Sequence, residues 1–480
     1  MIPKTTKLTR IALILAIAAA SGGLFFLKKP AAPLLAQAQS SPPTPAKPAP
    51  QEIVLDGEVR SLPGTLDSVP MLNSDSPEWV KKEGILLSTF PPDQKKVPTA
   101  HLNFPFQGKF NLFAHHFTHT PPNLQTLYIG AIVYNPGKQA VTVEVLQAAS
   151  YLMEPDAPFK QQPQISENPQ GEVYSGHGIR AVDNILRGLR QPNFPEKLVI
   201  APGESKMLLN GSIPVRGLPK PINGRSTFMA LKSSGKVYAA TLALYAKKNS
   251  DGSDRAPTLQ EWQNLLYNGS LALPRDKTPT PPGASGSLIY GRVAGVQQGS
   301  QWQAQLVDKN SNNLTIPQSG KAYSYAIATL RGGKLGTEQV QAAKLLVRYP
   351  DTAYEAHGNY GVHYDLTFPL QNPTNKPQVV TLTLETPLKE DKLLKGGLRF
   401  RKPPLDFPYF RGTVRLRYKD DSGQNVTRYV HLWHRVGQVV APMVKLKLAT
   451  AEKRLVRVDF IYPPDSTPPQ VLTVRTLTMF

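Results

Sequence analysis

Alternating apolar and polar positions run through most of the chain after residue 50 and predict β-strands. β-Branched, aromatic or other apolar residues occupy every second position in the clearest runs, which are 127–133, 141–145, 379–384, 414–418 and 455–460. This two-residue period is typical of strands with one buried face. We therefore predict an all-β fold.

One pattern occurs twice and indicates two similar domains. In each copy an apolar strand leads to an Asn-Pro pair, at Asn135-Pro136 and at Asn372-Pro373, and a Val-Thr-rich strand follows. Proline lacks the backbone N–H that a strand ladder needs, so each pair marks a strand end. We interpret each copy as a hairpin of the kind that builds immunoglobulin-like sandwiches, and we predict two tandem β-sandwich domains.

Proline-rich segments set the expected domain boundaries. Residues 39–50 and 273–285 combine proline with small or polar residues that cannot form a core of their own. We expect a first β-sandwich domain over residues 51–272 and a second, basic β-sandwich domain over residues 286–480.

Two short helical insertions are expected between the strands. An apolar stripe recurs at helical spacing over residues 181–190. The second helix should begin after Thr258, because Thr258 and Glu261 match a capping box, and it should end in a left-handed cap at Gly269.

The N-terminus has the pattern of an export signal. Basic residues precede an apolar run from Ile11 to Leu27, and a small-residue cleavage site stands at Ala36-Gln37-Ala38. Residues 1–38 are therefore a signal peptide, or a signal anchor if the run from Ile11 to Leu27 stays in the inner membrane as a tether; both interpretations remain open. In either case we expect the rest of the chain to work in the periplasm or at the cell surface, where neither nucleic acid nor a nucleotide is an expected partner.

Composition narrows the chemistry. The 480 residues include no cysteine, which excludes disulfides, thiol catalysis and thiolate metal sites, and 47 prolines, which disfavour long helices. The formal net charge is +21, and a basic exported protein is attracted to anionic envelope components such as acidic glycans. No cofactor is expected.

Cationic side chains follow two predicted strands of the second domain. Arg415, Arg417 and Lys419 alternate with apolar residues, as do Lys445 and Lys447, so each set should form a row on one strand face. The candidate residues for binding an anionic glycan are Arg415, Arg417, Lys419, Lys445, Lys447 and, for stacking on a sugar ring, Trp433. A solvated outer face, with lysines that protect a sheet edge, explains the same pattern.

Patterns for catalysis and metal binding are weak. Histidines cluster at 101, 115, 116 and 119, but on a strand His115 and His119 would lie roughly 13 Å apart, too far to share an ion. Ser233 and Lys236 match Ser-x-x-Lys, yet Ser234-Gly235 resembles a hairpin turn, which does not place the lysine one helical turn from the serine. We expect hydrogen-bonded histidines, no metal site and no catalytic residue, although dispersed carboxylates would not show in the sequence.

Segments spread over the chain carry a family resemblance. They are residues 55–64, 223–227, 289–295, 347–354, 357–361 and 462–470. On these segments the chain resembles an uncharacterised family of exported cyanobacterial proteins, known only as a domain of unknown function, over nearly the whole mature chain. The resemblance implies an envelope setting and supplies no activity and no catalytic residue.

The sequence favours a non-catalytic exported cell-envelope protein that binds or organises an anionic envelope polymer. A glycan-processing hydrolase with dispersed carboxylates is one alternative. An accessory subunit of a secretion or surface-layer assembly, which docks by strand addition, is another. A clustered acidic pair in a cleft would favour the hydrolase, and an exposed, uncharged edge strand would favour the assembly subunit.

Cleavage after Ala38 would leave Gln39 as the mature N-terminus. Envelope fractions should then yield a peptide that begins at Gln39, and osmotic shock should release the protein in soluble form. Mass spectrometry of the envelope fraction measures this directly. A peptide from the same fraction that contains Leu27 would instead show an uncleaved anchor.

Overall fold

The computed structural model describes residues 49–406 and 410–478, and the chain from Pro50 onward forms one compact unit. The expected signal at residues 1–38 and most of the first linker lie outside the described residues. Within the described part, no helix is both long and apolar enough to cross a membrane. Strands make up 45% of the residues and helices 6%, which confirms the all-β prediction.

The strands of the first half are β1 (Gln51–Leu55), β2 (Glu58–Arg60), β3 (Met71–Ser74), β4 (Gly84–Ser88), β5 (Phe106–His119), β6 (Leu127–Tyr134), β7 (Val141–Leu152), β8 (Ile165–Glu167), β9 (Lys197–Ile200), β10 (Ser205–Ile213), β11 (Ile222–Tyr245), β12 (Lys247–Lys248) and β13 (Asp254–Arg255). This half also contains the helices α1 (His177–Leu186) and α2 (Leu259–Asn268) and short 3-10 turns at Pro98–Ala100 and Pro122–Leu124.

The strands of the second half are β14 (Ala294–Gln297), β15 (Gln301–Gln305), β16 (Leu314–Thr315), β17 (Ala322–Ile327), β18 (Ala343–Arg348), β19 (Glu355–Ala356), β20 (His363–Gln371), β21 (Gln378–Glu385), β22 (Leu398–Lys402), β23 (Phe410–Lys419), β24 (Asn425–His434), β25 (Val444–Leu448), β26 (Lys453–Ile461) and β27 (Gln470–Thr476).

In the described residues the strands form three large sheets and two short ribbons. The largest sheet has eleven strands in the main order β10-β6-β11-β5-β3-β14-β18-β19, with β4 and β7 also paired to β11 and β9 paired to β7. A seven-stranded sheet has the order β15-β20-β26-β23-β24-β8, with β16 beside β20, and a five-stranded sheet has the order β2-β17-β27-β21-β25. The ribbons are β1-β22 and β12-β13.

Strand β11 is long enough to pair with different partners along its two parts. Residues 222–233 pair with β5 and, from residue 225, also with β7. The register with β5 shifts between Ser233 and Val237, and residues 238–245 pair with β6. The predicted hairpin turn at Ser234-Gly235 is therefore wrong, because the chain continues through it as one strand. Apolar and polar residues alternate on both sides of Gly235 whether the strand continues through the glycine or turns back there. The sequence pattern therefore does not distinguish a continuous strand from a hairpin.

Two main hydrophobic cores correspond to the two halves of the chain. The first is built from residues 72–296 with Tyr349 added, and the second from residues 302–474 with Leu62 added. Strand pairing nevertheless crosses the expected linker at 273–285, since β14 pairs with β3, β2 with β17 and β8 with β24. The expected linker precedes Ala294, Val296 and Tyr349 of the first core, so it separates neither the cores nor the sheets.

The two Asn-Pro pairs lie at corners between strands that do not pair with each other. β6 and β7, which flank Asn135, both pair with β11, and β20 and β21, which flank Asn372, pair with β26 and β27 respectively. The interpretation as hairpins is therefore wrong. Proline marks where a strand ends, but it does not specify where the next strand finds its partner.

A buried asparagine holds each corner in the same way. The side-chain amide of Asn135 donates to the carbonyl of Gln139 at 2.7 Å and to two carbonyls at the end of β9. The amide of Asn372 donates to the carbonyl of Lys376 at 2.7 Å and to two carbonyls at the end of β25. In the first half, β6 pairs with β10 and β7 pairs with β9. In the second half, β20 pairs with β26 and β21 pairs with β25, also antiparallel. The two halves therefore share a four-strand unit.

Both predicted helices exist, with changed ends. Helix α1 begins at His177, before the predicted start, and ends at Leu186. Helix α2 begins after Thr258, which forms the predicted capping box with Glu261. The left-handed cap predicted at Gly269 is wrong, because this residue has a φ of −86° and an extended conformation.

Replacement of Asn372 by alanine should lower the free energy of unfolding by about 2–3 kcal/mol, because it leaves buried backbone groups without their partners. Chemical denaturation followed by circular dichroism measures this change. Asn312 is exposed in a loop, so Asn312→Ala is the matched control and should change the value by less than about 0.5 kcal/mol. Equal stability of Asn372→Ala and the wild type would contradict a role for the corner in folding stability.

Candidate functional site

A cleft of about 340 Å³ opens where loops from both halves meet. The first half contributes the turn after β3 and part of β5, and the second contributes the segment before β14, the turn after β19 and the loop between β26 and β27. The charged and aromatic lining residues are Asp75, Glu78, His115, Tyr290, Arg292, His357, Tyr360, Lys389 and Asp465. Only the folded chain brings these residues together.

Three ligand-type side chains cluster on one wall of the cleft. One atom each from Glu78, His115 and Asp465 lies within 4.8 Å of the other two. Glu78 follows β3, His115 lies in β5, and Asp465 lies in the loop between β26 and β27. Carboxylate oxygen and imidazole nitrogen are ligands that divalent transition metals accept, so this cluster is the part of the cleft suited to a metal ion.

The imidazole of His115 is hydrogen-bonded through one nitrogen, and its other nitrogen is buried without a hydrogen-bond partner among the described residues. Its side chain is 4% exposed, and Nδ1 lies 2.5 Å from Oγ of Ser226 on β11. Nε2 lies 3.6 Å from Oδ1 of Asp465, which is beyond hydrogen-bond distance. The ring of His177 stacks on His115 with ring centroids 5.0 Å apart. Nε2 is therefore held in place next to the carboxylate.

Burial and charge separate the pKa values in this cluster. Burial raises the pKa of Asp75 well above its usual range, and the charge of His115 offsets this only in part. Burial disfavours charge on His115, but Asp465, Asp75 and Glu78 outweigh burial and raise the pKa of His115 to about 9. Burial also opposes ionisation of Asp465, but His115 and Arg411 outweigh it and hold the pKa of Asp465 below its usual range. With no ion or other ligand bound, the cluster therefore contains a protonated His115 beside an ionised Asp465.

Two arginines contact the outer oxygens of the carboxylates. Nε of Arg292 donates to Oε2 of Glu78 at 2.6 Å, and its Nη1 donates to Oδ1 of Asp276 at 3.0 Å. Nη2 of Arg411 lies 3.9 Å from Oδ2 of Asp465, whereas Oδ1 is the Asp465 oxygen nearest His115. Arg292 thus orients the carboxylate of Glu78 by a hydrogen bond, whereas Arg411 supplies a positive charge near Asp465 without a hydrogen bond to Oδ2.

The rim of the cleft presents a lysine against a tyrosine. Nζ of Lys389 donates to the hydroxyl of Tyr290 at 2.6 Å, and that hydroxyl donates to the carbonyl of Arg331 at 2.6 Å. Lys389 as a whole is exposed, but packing of its ammonium end against the wall reduces hydration and lowers its pKa to about 8, with the charge of Asp391 as a partial offset. Within the described residues Lys389 forms no ion pair with a carboxylate, so its charge is accessible to an anion.

Two glycines permit the close packing beneath the cleft. A Cβ on Gly178, in the first turn of α1, would lie 2.2 Å from Cγ of Pro464, next to Asp465. A Cβ on Gly224, in β11, would lie 2.9 Å from Nε2 of His177. Side chains at these positions would force the neighbouring groups apart, so glycine allows α1, β11 and the loop that carries Asp465 to meet.

Arg415 and Arg417, two of the predicted binding residues, neutralise a buried carboxylate. Asp459 is fully buried, and it accepts from Nε of Arg415 at 3.0 Å and from Nη2 of Arg417 at 3.0 Å. Nη1 of Arg415 also donates at 3.2 Å to the carbonyl of Leu186, the last residue of α1. These contacts give both arginines a role in the fold itself, whereas Lys419, at the end of β23, is exposed.

The structure does not bring the two cationic rows together. Lys445 and Lys447 are exposed on β25 at the edge of the five-stranded sheet, while Arg415, Arg417 and Lys419 lie on β23 of the seven-stranded sheet. The apolar neighbours of both rows enter the same second core. The rows therefore lie on different sheets around that core, although the backbone N–H of Lys447 donates at 3.0 Å to Asp421, two residues after Lys419.

Trp433 lies inside the protein on β24. It is 6% exposed, and its ring lies 5.6 Å from the guanidinium carbon of Arg435. Its neighbour His431 is fully buried. This burial leaves little ring surface for the predicted stacking on a sugar.

The histidines of the first half divide into two groups. His101 is hydrogen-bonded to Ser88 at 2.8 Å and His116 to Ser74 at 3.0 Å, as predicted, although only His116 lies on a strand. His115 instead lies beside carboxylates from two distant segments. The expectation of no metal site considered only ligands spaced along one strand, and spacing cannot show partners that other strands and loops supply.

Sequence reasoning missed four cleft residues, which are Asp75, Glu78, Lys389 and Asp465. The one available signal was the set of segments that carried the family resemblance. Residues 289–295, 357–361 and 462–470 line the cleft, and residues 223–227 supply Ser226 behind His115. Their convergence on one place is visible only in three dimensions.

The chain is thus an all-β protein with a polar cleft at the junction of two cores. A family model described as "Protein of unknown function (DUF3370)" matches residues 57–476, and the chain belongs to this family. The match confirms the resemblance to an uncharacterised domain family, while cyanobacterial origin and export stay predictions.

Other comparisons add no functional information. No curated protein matches the chain. The crystal structure of Lac15 from a marine microbial metagenome is 9% identical, over 84% of this chain and 61% of that chain, with a TM-score of 0.10. Procruciferin, an 11S globulin from Brassica napus, is 10% identical, over 87% of this chain and 85% of that chain, also with a TM-score of 0.10. At that TM-score neither similarity supports an argument about fold or function.

Arg415→Gln should lower the free energy of unfolding by about 3 kcal/mol, because it leaves the buried Asp459 less neutralised and removes a donor from the end of α1. Urea denaturation measures the change. Lys419→Gln, on the same strand, removes an exposed charge and is the matched control, with an expected change below about 0.5 kcal/mol. A wild-type stability for Arg415→Gln would show that this row is a solvated surface.

Proposed function

We propose that the protein is a non-catalytic component of the cell envelope that binds an anionic polymer, such as an acidic glycan, in the cleft. Its location in the periplasm or at the cell surface is inferred from the basic residues, the apolar run and the Ala-x-Ala site at the N-terminus. The net charge of +21 supports an anionic partner, because a basic protein raises the local concentration of anions near its surface.

The observation that carries this proposal is Lys389 at the rim of the cleft. Its ammonium is bound to the hydroxyl of Tyr290 and not to a carboxylate, so an anionic group gains a charge-assisted hydrogen bond there without breaking an ion pair. Nζ also lies 4.4 Å from the ring centroid of Tyr290. A cation beside an aromatic ring suits a sugar acid, since the ring supplies an apolar face and the amine a partner for the carboxylate.

If the polymer binds in the cleft, the binding residues predicted from the sequence contribute less to its affinity. Arg415 and Arg417 are engaged with Asp459, and Trp433 is buried. Lys445 and Lys447 are exposed and add general attraction, but single exposed charge contacts contribute only about 0.2–1 kcal/mol. Binding in the cleft should therefore depend on Lys389 more than on either cationic row.

A glycan-processing hydrolase is the second candidate, favoured by the presence of Asp75, Glu78 and Asp465 in one cleft. Hydrolysis of a glycosidic bond commonly uses two carboxyl groups that face the same substrate. Incubation with acidic oligosaccharides, followed by mass spectrometry, separates the two functions. Shortened products that disappear in Asp75→Asn support the hydrolase, and intact chains support binding alone.

An accessory subunit that docks by strand addition is a further hypothesis. Strand β25 lies at the edge of its sheet and carries Lys445 and Lys447. Lysines on an edge strand disfavour pairing with another chain. This edge therefore gives the hypothesis less support than the cleft gives to ligand binding.

For the architecture, we propose two related β-sandwiches of immunoglobulin-like type that exchange strands. The four-strand unit at Asn135 and Asn372 and the presence of one core in each half support this relationship. The strand exchange explains how two sandwiches form a single compact unit with a cleft at their junction.

Lys389→Gln should weaken the binding of a labelled polygalacturonate oligomer about fivefold, which corresponds to about 1 kcal/mol for one partly exposed charge contact. Fluorescence anisotropy with the full-length protein at low salt measures the dissociation constant. Binding to the wild type should also weaken between pH 7 and pH 9, because the pKa of about 8 means that Lys389 loses its positive charge in this range.

The matched control is the double variant Lys445→Gln/Lys447→Gln, which removes two exposed lysines that do not line the cleft. It should bind within about twofold of the wild type at moderate salt. Equal affinity of Lys389→Gln and the wild type, or a larger loss in the double variant, would show that the polymer binds to the basic rows and not to the cleft.

A further inference from the structure

We propose that Glu78, His115 and Asp465 form a binding site for a divalent transition-metal cation such as Zn²⁺. One ligand-type atom from each residue lies within 4.8 Å of the other two, at the wall of the cleft. This site is distinct from the anion contact proposed at Lys389, and it does not depend on the nature of the polymer.

The buried nitrogen of His115 is the observation that points to a ligand. Nε2 is inaccessible to solvent and has no hydrogen-bond partner among the described residues. Its nearest charged neighbour is Oδ1 of Asp465 at 3.6 Å. A buried imidazole nitrogen normally has a partner, and once a metal ion displaces its proton, the lone pair of Nε2 is a strong ligand for a borderline metal ion.

The measured separation suits a shared ion. Zn²⁺ lies about 2.0–2.2 Å from imidazole nitrogen and carboxylate oxygen, so neighbouring ligands of a tetrahedral ion are about 3.3 Å apart. The 3.6 Å between Nε2 of His115 and Oδ1 of Asp465 needs only a small contraction. Glu78 and Asp465 both lie in connecting segments rather than in strands, so they have freedom to make that adjustment.

Groups around the cluster contact the three side chains on the side away from the proposed ion, as is common in metal sites. Nδ1 of His115 lies 2.5 Å from the hydroxyl of Ser226, a contact that fixes the ring and directs Nε2 to the cluster. Arg292 binds one oxygen of Glu78, and Arg411 lies near one oxygen of Asp465. The second oxygen of each carboxylate is then available to the ion.

The ligand set also defines the class of metal. One imidazole and two carboxylates suit Zn²⁺, Mn²⁺ or Fe²⁺ better than Mg²⁺ or Ca²⁺, which prefer oxygen alone. With ionised carboxylates and neutral imidazole, the three side chains balance the charge of a divalent ion. Three protein ligands leave one coordination position for water or for a ligand in the cleft.

A structural ion pair between protonated His115 and Asp465 is the competing explanation, and metal titration distinguishes the two. The full-length protein is treated with chelator, desalted and titrated with ZnCl₂ at pH 7.5 in an isothermal calorimeter. We expect one equivalent to bind to the wild type. Glu78→Gln and Asp465→Asn should each weaken binding by at least about tenfold, because each removes a charged ligand.

Glu144→Gln is the matched control, since Glu144 is a half-exposed carboxylate on β7 paired with Lys232 at 3.5 Å. It should bind Zn²⁺ as the wild type does. Ser226→Ala keeps all three ligands but removes the contact with His115, so it should weaken binding about tenfold. Circular dichroism of each variant confirms that it is folded before titration.

Absorption of Co²⁺ provides a second measurement on the same proteins. Bound Co²⁺ should show visible bands of low-coordinate nitrogen and oxygen ligation that are lost in Glu78→Gln. No binding by the chelator-treated wild type, or equal binding by Glu78→Gln, Asp465→Asn and the wild type, would overturn the proposal and leave the cluster as a structural ion pair.

Discussion

The packing of helix α1 between the two halves is the interaction on which the cleft depends. Its apolar face enters a third core in which Phe113 of β5 meets Ile461 at the end of β26. At its first turn, Gly178 leaves room for the loop at residues 462–469. A displaced helix would separate this loop from β5 and His115, so the junction of the two halves and the site are one structural feature. The buried apolar contacts, which are non-directional, hold the halves together, and the close approach at glycine sets their separation.

Two aspartates of the second half, Asp459 and Asp465, show how the same side chain acquires different roles. Asp459 accepts from Arg415 and Arg417, so its charge is neutralised and it stabilises the sheet. Asp465 lies 3.6 Å from His115 without a hydrogen bond to it, at the wall of an open cleft. Complete pairing makes a buried charge structural, whereas incomplete pairing next to solvent leaves a group that a ligand or an ion can satisfy.

Several sequence predictions failed where they needed to know what lies next to a residue in space. Alternation correctly indicated that Arg415 and Arg417 point away from the apolar core. It did not show that Asp459, on the neighbouring strand β26, lies between them. The pairs at Asn135 and Asn372 marked two equivalent corners, but the strands on each side of a corner pair with other strands. Local patterns report the conformation and burial of a segment, and neither quantity specifies its pairing partner.

The sequence by itself determined the all-β class, the repeated strand ends at the two Asn-Pro pairs and the capping box at Thr258, because each depends on residues within a few positions of one another. Only the tertiary structure decided the site. Glu78, His115, Lys389 and Asp465 come from separate segments of both halves, and no local period links them. Their proximity follows from strand pairing between distant segments and from the packing of α1, and such long-range contacts depend on the whole fold and not on any one segment.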